Sequence, residues 1–227
     1  MSETKNVWNA VRGFEQYSLC DWPGRPCSVI FLGGCNLRCP TCHNATLAWS
    51  MSKLPPISGS AVKAYFRSRA SWLDGVTITG GEPTCTPYLG ELLYELKKFK
   101  LPVKVDSNGM RPEVIEDILE YNLADVFAVD VKGPYNKYPE LTGMAVSELA
   151  AQANLEKVFA IAEKSPASFY FRLTKVPGLT QEDIDVARSY LPAGFSLKLQ
   201  DYVEPRREKE NAQPDYETRR PAGNVVN

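Results

Sequence analysis

The stretch GGCNLRCPTCHN, residues Gly33 to Asn44, places three cysteines within eight residues in the spacing C-x3-C-x2-C, and no other cysteine is close by in the chain. It follows directly on CSVIFL, Cys27 to Leu32, a β-branched and aromatic run that predicts a buried strand ended by Gly33 and Gly34. Structural zinc takes four protein ligands in a tetrahedron. The single histidine, His43, adjoins Cys42, and two neighbouring residues rarely aim both side chains at one small ion without strain. A four-iron cluster is larger, and three cysteines leave one of its irons open to a substrate or cofactor.

The same pattern of apolar run, then glycine or polar residues, recurs along the chain. VTIT (Val76 to Thr79) ends at Gly80 and Gly81, and VKVDSNG (Val103 to Gly109) carries a strand ending near Asp106. Further strands are predicted at Asp125–Val131, Phe169–Val176 and Phe195–Leu199, six in all. Helical spacing of apolar residues predicts helices at about Ser58–Trp72, Leu89–Phe99, Pro112–Tyr121, Ser147–Glu163 and Gln181–Tyr190. Strands alternating with helices imply parallel pairing through right-handed crossovers, which gathers the loops after the strands along one edge. The cysteine loop, GGEP, DSNG and DVK all fall there, where α/β sheets and barrels bind ligands. Six units are too few for the eight-stranded closed barrel, so the expected fold is α/β, a partial open (β/α)6 TIM-like barrel over residues 1–202. A flat doubly wound sheet is the alternative. From 203 to 227 the chain is charged and contains proline with little apolar content, which predicts a tail or strap without a fold of its own.

Composition narrows the function. The 227 residues carry 26 Lys and Arg against 27 Asp and Glu, a formal net charge of -1, so no global field draws the chain to nucleic acid or to an anionic membrane. The N-terminus MSETKNVWNA lacks an apolar signal core, and no apolar run is long enough to span a bilayer, which predicts a cytoplasmic protein. Six cysteines in 227 residues are too sparse for a disulfide scaffold and fit metal ligation better. Cys20, Cys27 and Cys85 read as buried small hydrophobes, His43 as a residue beside the site and not a ligand, and the run YFRSRASW (Tyr65 to Trp72) as an amphipathic helix.

The cysteine motif after one strand, GGEP after the next and DVK after a later one together resemble the radical S-adenosylmethionine (SAM) superfamily. Within it, SLCDWPG (Ser18 to Gly24), CHN (Cys42 to Asn44), VDSNG and VPGL (Val176 to Leu179) are similar to the glycyl-radical-enzyme activating enzymes. The nearest resemblance is to the activating protein of anaerobic ribonucleotide reductase. The resemblance implies that Cys35, Cys39 and Cys42 ligate a [4Fe-4S] cluster whose fourth iron takes the amino and carboxylate groups of S-adenosylmethionine. Reductive cleavage of the sulfonium would then give a 5'-deoxyadenosyl radical that removes a hydrogen atom from a glycine of the partner.

The resemblance also assigns the surrounding residues. Gly80, Gly81 and Glu82 would bind the methionine amino group, the glycines by close backbone approach and the carboxylate as acceptor. Asn44 would hydrogen-bond in the same site. Asp106, Ser107, Asp130 and Lys132 would hold the cofactor or a monovalent cation, Arg172 would face the cofactor, and Asp21 would lie near the loop of the target glycine. Thr41, before the third cysteine, departs from the aromatic residue usual there. LQDYVEP (Leu199 to Pro205) lacks the histidine usual in pyruvate formate-lyase activating enzymes, which favours the reductase as partner. A flavodoxin- or ferredoxin-type protein would supply the electron. The alternatives are an activase of another glycyl-radical enzyme, a radical enzyme acting on a small molecule, and a non-catalytic iron-sulfur or zinc module.

Overall fold

A computed structural model describes residues 7–205. It contains one open sheet of seven strands in the order β1 to β7: Val11–Ser18, Cys27–Leu32, Gly75–Gly80, Val103–Ser107, Val126–Asp130, Phe169–Lys175 and Leu197–Asp201. Strands β2 to β7 pair in parallel, and β1 adds to β2 in antiparallel fashion. Among the described residues strands β1 and β7 each pair on one side only and not with each other, so the sheet is a partial barrel and not a closed one.

The six parallel strands are those expected. Strand β1 was not expected, because VRGFEQYS is mostly polar and reads as a loop until its partner is known. Its residues pair on one side only and bury a single residue, Val11, completely, so an edge position tolerates their polarity. The last strand begins at Leu197, two residues later than expected.

Helices α1 (Ala45–Trp49), α2 (Gly59–Arg69), α3 (Leu89–Lys97), α4 (Pro112–Glu120), α5 (Tyr138–Leu141), α6 (Glu148–Lys164) and α7 (Gln181–Ser189) lie between the strands. Of these, the short α1 and α5 leave too few apolar turns to show a period. Leu92, Leu93 and Leu96 of α3, Ile115 and Ile118 of α4, and Leu155, Val158 and Phe159 of α6 pack in one core with Ile30, Ile78, Val105, Val129 and Phe171 of the strands. Because side chains alternate across a strand, the residues between these, Thr79, Asp106, Asp130, Arg172 and Thr174, face the other way and line a cavity at the carboxyl ends of the strands. The helices thus cover an apolar face, and a polar concave face is left for the site.

The expected tail begins beside the cysteine loop: the Val203 carbonyl oxygen contacts His43 Nε2, and the His43 and Tyr202 rings lie 5.4 Å apart. The remainder of the tail, 206–227, lies outside the described residues. Cys27 is fully buried, as expected, but Cys20 is exposed, because it lies in the turn joining β1 to β2. Helix α2 buries Val62 and Phe66, and Arg69 stacks 4.8 Å from the ring of the exposed Trp72.

Candidate active site

Three loops are tied together around the strand ends. Gly81 N–H donates to the Leu32 carbonyl and Glu82 N–H to the Gly34 carbonyl, both at 2.8 Å, so the turn after β3 continues as a ladder onto the start of the cysteine loop. Asn44 Nδ2 donates to the Gly80 carbonyl at 3.2 Å from the loop's other end. Asn108 Nδ2 donates to Asn36 Oδ1 at 2.8 Å, linking the loop to the end of β4. From the far side, Arg38 N–H donates to the Thr142 carbonyl at 3.0 Å.

Glu82 is the pin of this arrangement. Its Oε1 accepts from Thr84 N–H, Thr84 Oγ1 and Ser107 Oγ at 3.1, 2.7 and 2.9 Å, and its Oε2 accepts from Asn108 N–H at 2.7 Å. Glu82 is 2% exposed, and burial pushes its carboxyl above the usual range against the pull of these donors. The expectation gives Glu82 to the ammonium of a cofactor; the structure engages it first in joining β3 to β4.

All twelve of the residues expected at the site line one cavity of about 270 Å³: Cys35, Cys39, Cys42, Asn44, Gly80, Gly81, Glu82, Asp106, Ser107, Asp130, Lys132 and Arg172. Sequence reasoning did not single out Asn108, Trp49, Thr79 or Thr174, which line it too. Trp49 and His43 are the aromatic rings in the lining. Asp21 lies elsewhere, in the turn that precedes β2, near the amino-terminal edge of the parallel strands, where Ser18 Oγ holds its Oδ2 at 2.5 Å.

The charged residues form a row across β4, β5 and β6. Lys104 pairs with Asp106, Arg172 Nη2 reaches Asp106 Oδ2 at 3.1 Å, Arg172 Nε pairs with Asp130, and Lys132 Nζ meets Asp130 Oδ2 at 3.0 Å. Against the opposing effect of burial, the two flanking cations hold Asp130 well below the usual carboxylate range, and the carboxylates of Asp130 and Asp106 raise Arg172 further. Lys104 is fully buried and was missed, since a lysine in VKVD reads as an ordinary polar residue of a strand.

The cysteines are half-buried, and burial pushes the Cys35 thiol up to about 12, while the ammonium of Lys132 opposes the same effect at Cys39. Among the described residues no three side chains of His, Cys, Asp or Glu converge on one ion. A cube asks for something else, soft thiolates that each serve a different iron, and three cysteines around one cavity match that demand.

The radical SAM superfamily profile matches residues 29–191, a span that runs from β2 through α7. The chain belongs to the radical SAM superfamily. It is similar to the protein of Methanocaldococcus jannaschii named "Putative glycyl-radical enzyme activating enzyme", with 33% identity over 183 residues, covering 79% of this chain and 74% of that protein. It is also similar to the pyruvate formate-lyase-activating enzyme of Streptococcus mutans, 26% identical over 212 residues, covering 88% of this chain and 73% of the relative. Among solved structures, Streptococcus suis SuiB bound to its precursor peptide SuiA shares the fold with a TM-score of 0.56 at 18% identity, over 78% of this chain and 39% of that one. As a radical SAM enzyme the chain uses a [4Fe-4S] cluster and S-adenosylmethionine.

Proposed function

We propose that this radical SAM enzyme is an activase that generates a glycyl radical on a partner enzyme, and that the partner is an anaerobic ribonucleotide reductase. The observation that carries the reading is the 33% identity over 183 residues to a protein named for the activation of glycyl-radical enzymes. VDSNG and VPGL, in the places the reductase activators have them, and the lack of a histidine in LQDYVEP support the choice of partner.

Cys35, Cys39 and Cys42 would hold the cluster, and Gly80, Gly81, Glu82, Asn44, Asp106, Ser107, Asp130, Lys132 and Arg172 would surround S-adenosylmethionine. Once bound, these cofactors supply a one-electron cleavage of the sulfonium that produces a hydrogen-abstracting carbon radical. The chain's own work is to place and to shield. Glu82, Ser107, Asn108 and Asp106 form a floor with at most 8% exposure, which keeps water from beneath the reacting groups. Arg172 and Lys132 present positive charge to an α-carboxylate, and Asn44 holds the Gly80 carbonyl in place. Among the described residues β1 and β7 do not pair with each other, which leaves the concave face open at the side and would admit a loop of a partner protein.

The test is electron paramagnetic resonance on the reductase after anaerobic incubation with the reduced, cluster-loaded enzyme, S-adenosylmethionine and a flavodoxin or ferredoxin donor. A glycyl doublet on the reductase is the expected result. A doublet on pyruvate formate-lyase instead would move the partner, and cleavage of S-adenosylmethionine with no doublet on either protein would reject the activase reading.

A further inference from the structure

Asp106 and Asp130 have all four of their carboxylate oxygens matched to a cation of the protein itself. Lys104 and Arg172 divide the two oxygens of Asp106, and Arg172 and Lys132 divide those of Asp130. Three cations face two carboxylates, so the row carries one positive charge in excess. An alkali cation entering between these carboxylates would find every oxygen already paired with a cation of the protein and would meet two ammonium groups and a guanidinium.

Lys104 makes the difference. It has no exposure and does not line the cavity; it stands behind Asp106, two residues earlier on the same face of β4. A buried ion pair is weak support for stability, since an apolar side chain of equal volume commonly serves as well. A charge kept in such a place acts on the field of its neighbours. With Asp106 neutralised from behind, Arg172 can span both carboxylates and still leave the net positive charge facing the cavity.

We propose that Lys104 is a built-in counter-ion: its ammonium supplies, from within the fold, the single positive charge that Asp106 would otherwise take from a bound alkali cation, so that this enzyme binds S-adenosylmethionine without one. Lys104 is thus a positioning residue that acts through Asp106 on Arg172. The inference rests on the cofactors of the superfamily and is independent of the partner named above.

The cluster-loaded enzyme decides it when titrated with S-adenosylmethionine by calorimetry in potassium chloride and in choline chloride at equal ionic strength. The thermal midpoint without S-adenosylmethionine is read in both salts. Wild-type affinity should agree between the salts within about twofold, since screening is the same. Lys104→Ala, which removes the charge and opens room, should lose about tenfold in affinity in choline, recover in potassium, and gain thermal stability from potassium. Lys104→Met, which fills the room without a charge, should lose affinity in both salts.

A wild-type affinity that depends on potassium overturns the proposal, and so does a Lys104→Ala loss that potassium leaves unrepaired or no loss at all. If neither variant folds, the wild-type comparison and a Lys104→Arg variant, expected to stay independent of salt, carry the test. Absence of binding in either salt would instead strike at the cofactor set.

Discussion

A Cβ built on Gly81 would lie 1.9 Å from the Gly34 carbonyl oxygen, so the turn that ends β3 and the loop that carries the cysteines meet backbone to backbone. That oxygen also accepts from Glu82 N–H, and Gly80 adopts a φ of +124° with its own Cβ position 2.4 Å from the Leu32 carbonyl. Only glycine fits two such approaches in succession. The three cysteines are therefore held at a fixed height above the strand ends by a contact that has no side chain in it.

Gly81→Ala should part these loops. The expected cost is about 2 kcal/mol or more of stability, as for other forced backbone shifts, together with loss of bound iron. Thermal unfolding and iron analysis check both. Gly90→Ala is the contrast: its Cβ would meet Leu123 Cδ1 at an ordinary 3.5 Å within α3, so the change should leave iron unaltered and add up to about 1 kcal/mol of stability.

Arg172 spans Asp106 through Nη2 and Asp130 through Nε, which a single ammonium cannot reproduce. Arg172→Lys should keep the fold and the iron while lowering affinity for S-adenosylmethionine about tenfold, the scale of one charge-assisted hydrogen bond. Calorimetry on the cluster-loaded protein measures it; unchanged affinity would remove Arg172 from the cofactor's surroundings.

Asp130 gives a dependence on pH whose sign is fixed. Its carboxyl is depressed in the folded state by Arg172 and Lys132, so its contribution to stability is present above the ordinary aspartate range and lost as pH falls below it. Asp130→Asn should cost about 2 kcal/mol near neutral pH, where two cations are left without a partner. The wild-type and variant unfolding curves should draw together as pH falls below the ordinary aspartate range and meet only well beneath it, where the depressed folded-state carboxyl is itself protonated. Denaturant titrations of the cluster-free protein across that range test the convergence.

The six cysteines should divide cleanly. Cys39→Ala should lose both iron and cleavage of S-adenosylmethionine, since Cys39 lines the cavity with Cys35 and Cys42. Cys85→Ser and Cys20→Ser should each keep about four irons per chain. Cys85 borders a separate cavity with Arg111 and Tyr88, and Cys20 lies in the exposed turn before β2. Iron and sulfide analysis distinguishes the outcomes, and loss of iron from Cys85→Ser would extend the ligand set beyond the motif.

Much of the site was legible in advance because its parts follow strands of the same kind. Val76 to Thr79 and Val103 to Asp106 are short apolar runs that stop at glycine or at a polar residue, and parallel pairing then forces their ends to one edge. Strand β1 escaped notice because Gly13, Glu15 and Gln16 interrupt any apolar period, and its partner β2 alone makes it a strand. Lys104 and Asn108 escaped for a different reason: each is a common polar residue whose importance depends on a neighbour far away in the chain, Arg172 through Asp106 for the first and Asn36 for the second.

By itself the sequence determined the alternation of elements, the trio of cysteines and the edge on which they gather, since local spacing and propensity decide those things. Only the tertiary structure decided that Glu82 ties β3 to β4 and that one guanidinium serves two carboxylates. The first depends on the register Ile78↔Val105 between β3 and β4 and the second on Asp106↔Ala128 and Asp130↔Arg172, and pairings across a sheet are set by the packing of the whole and not by any one segment.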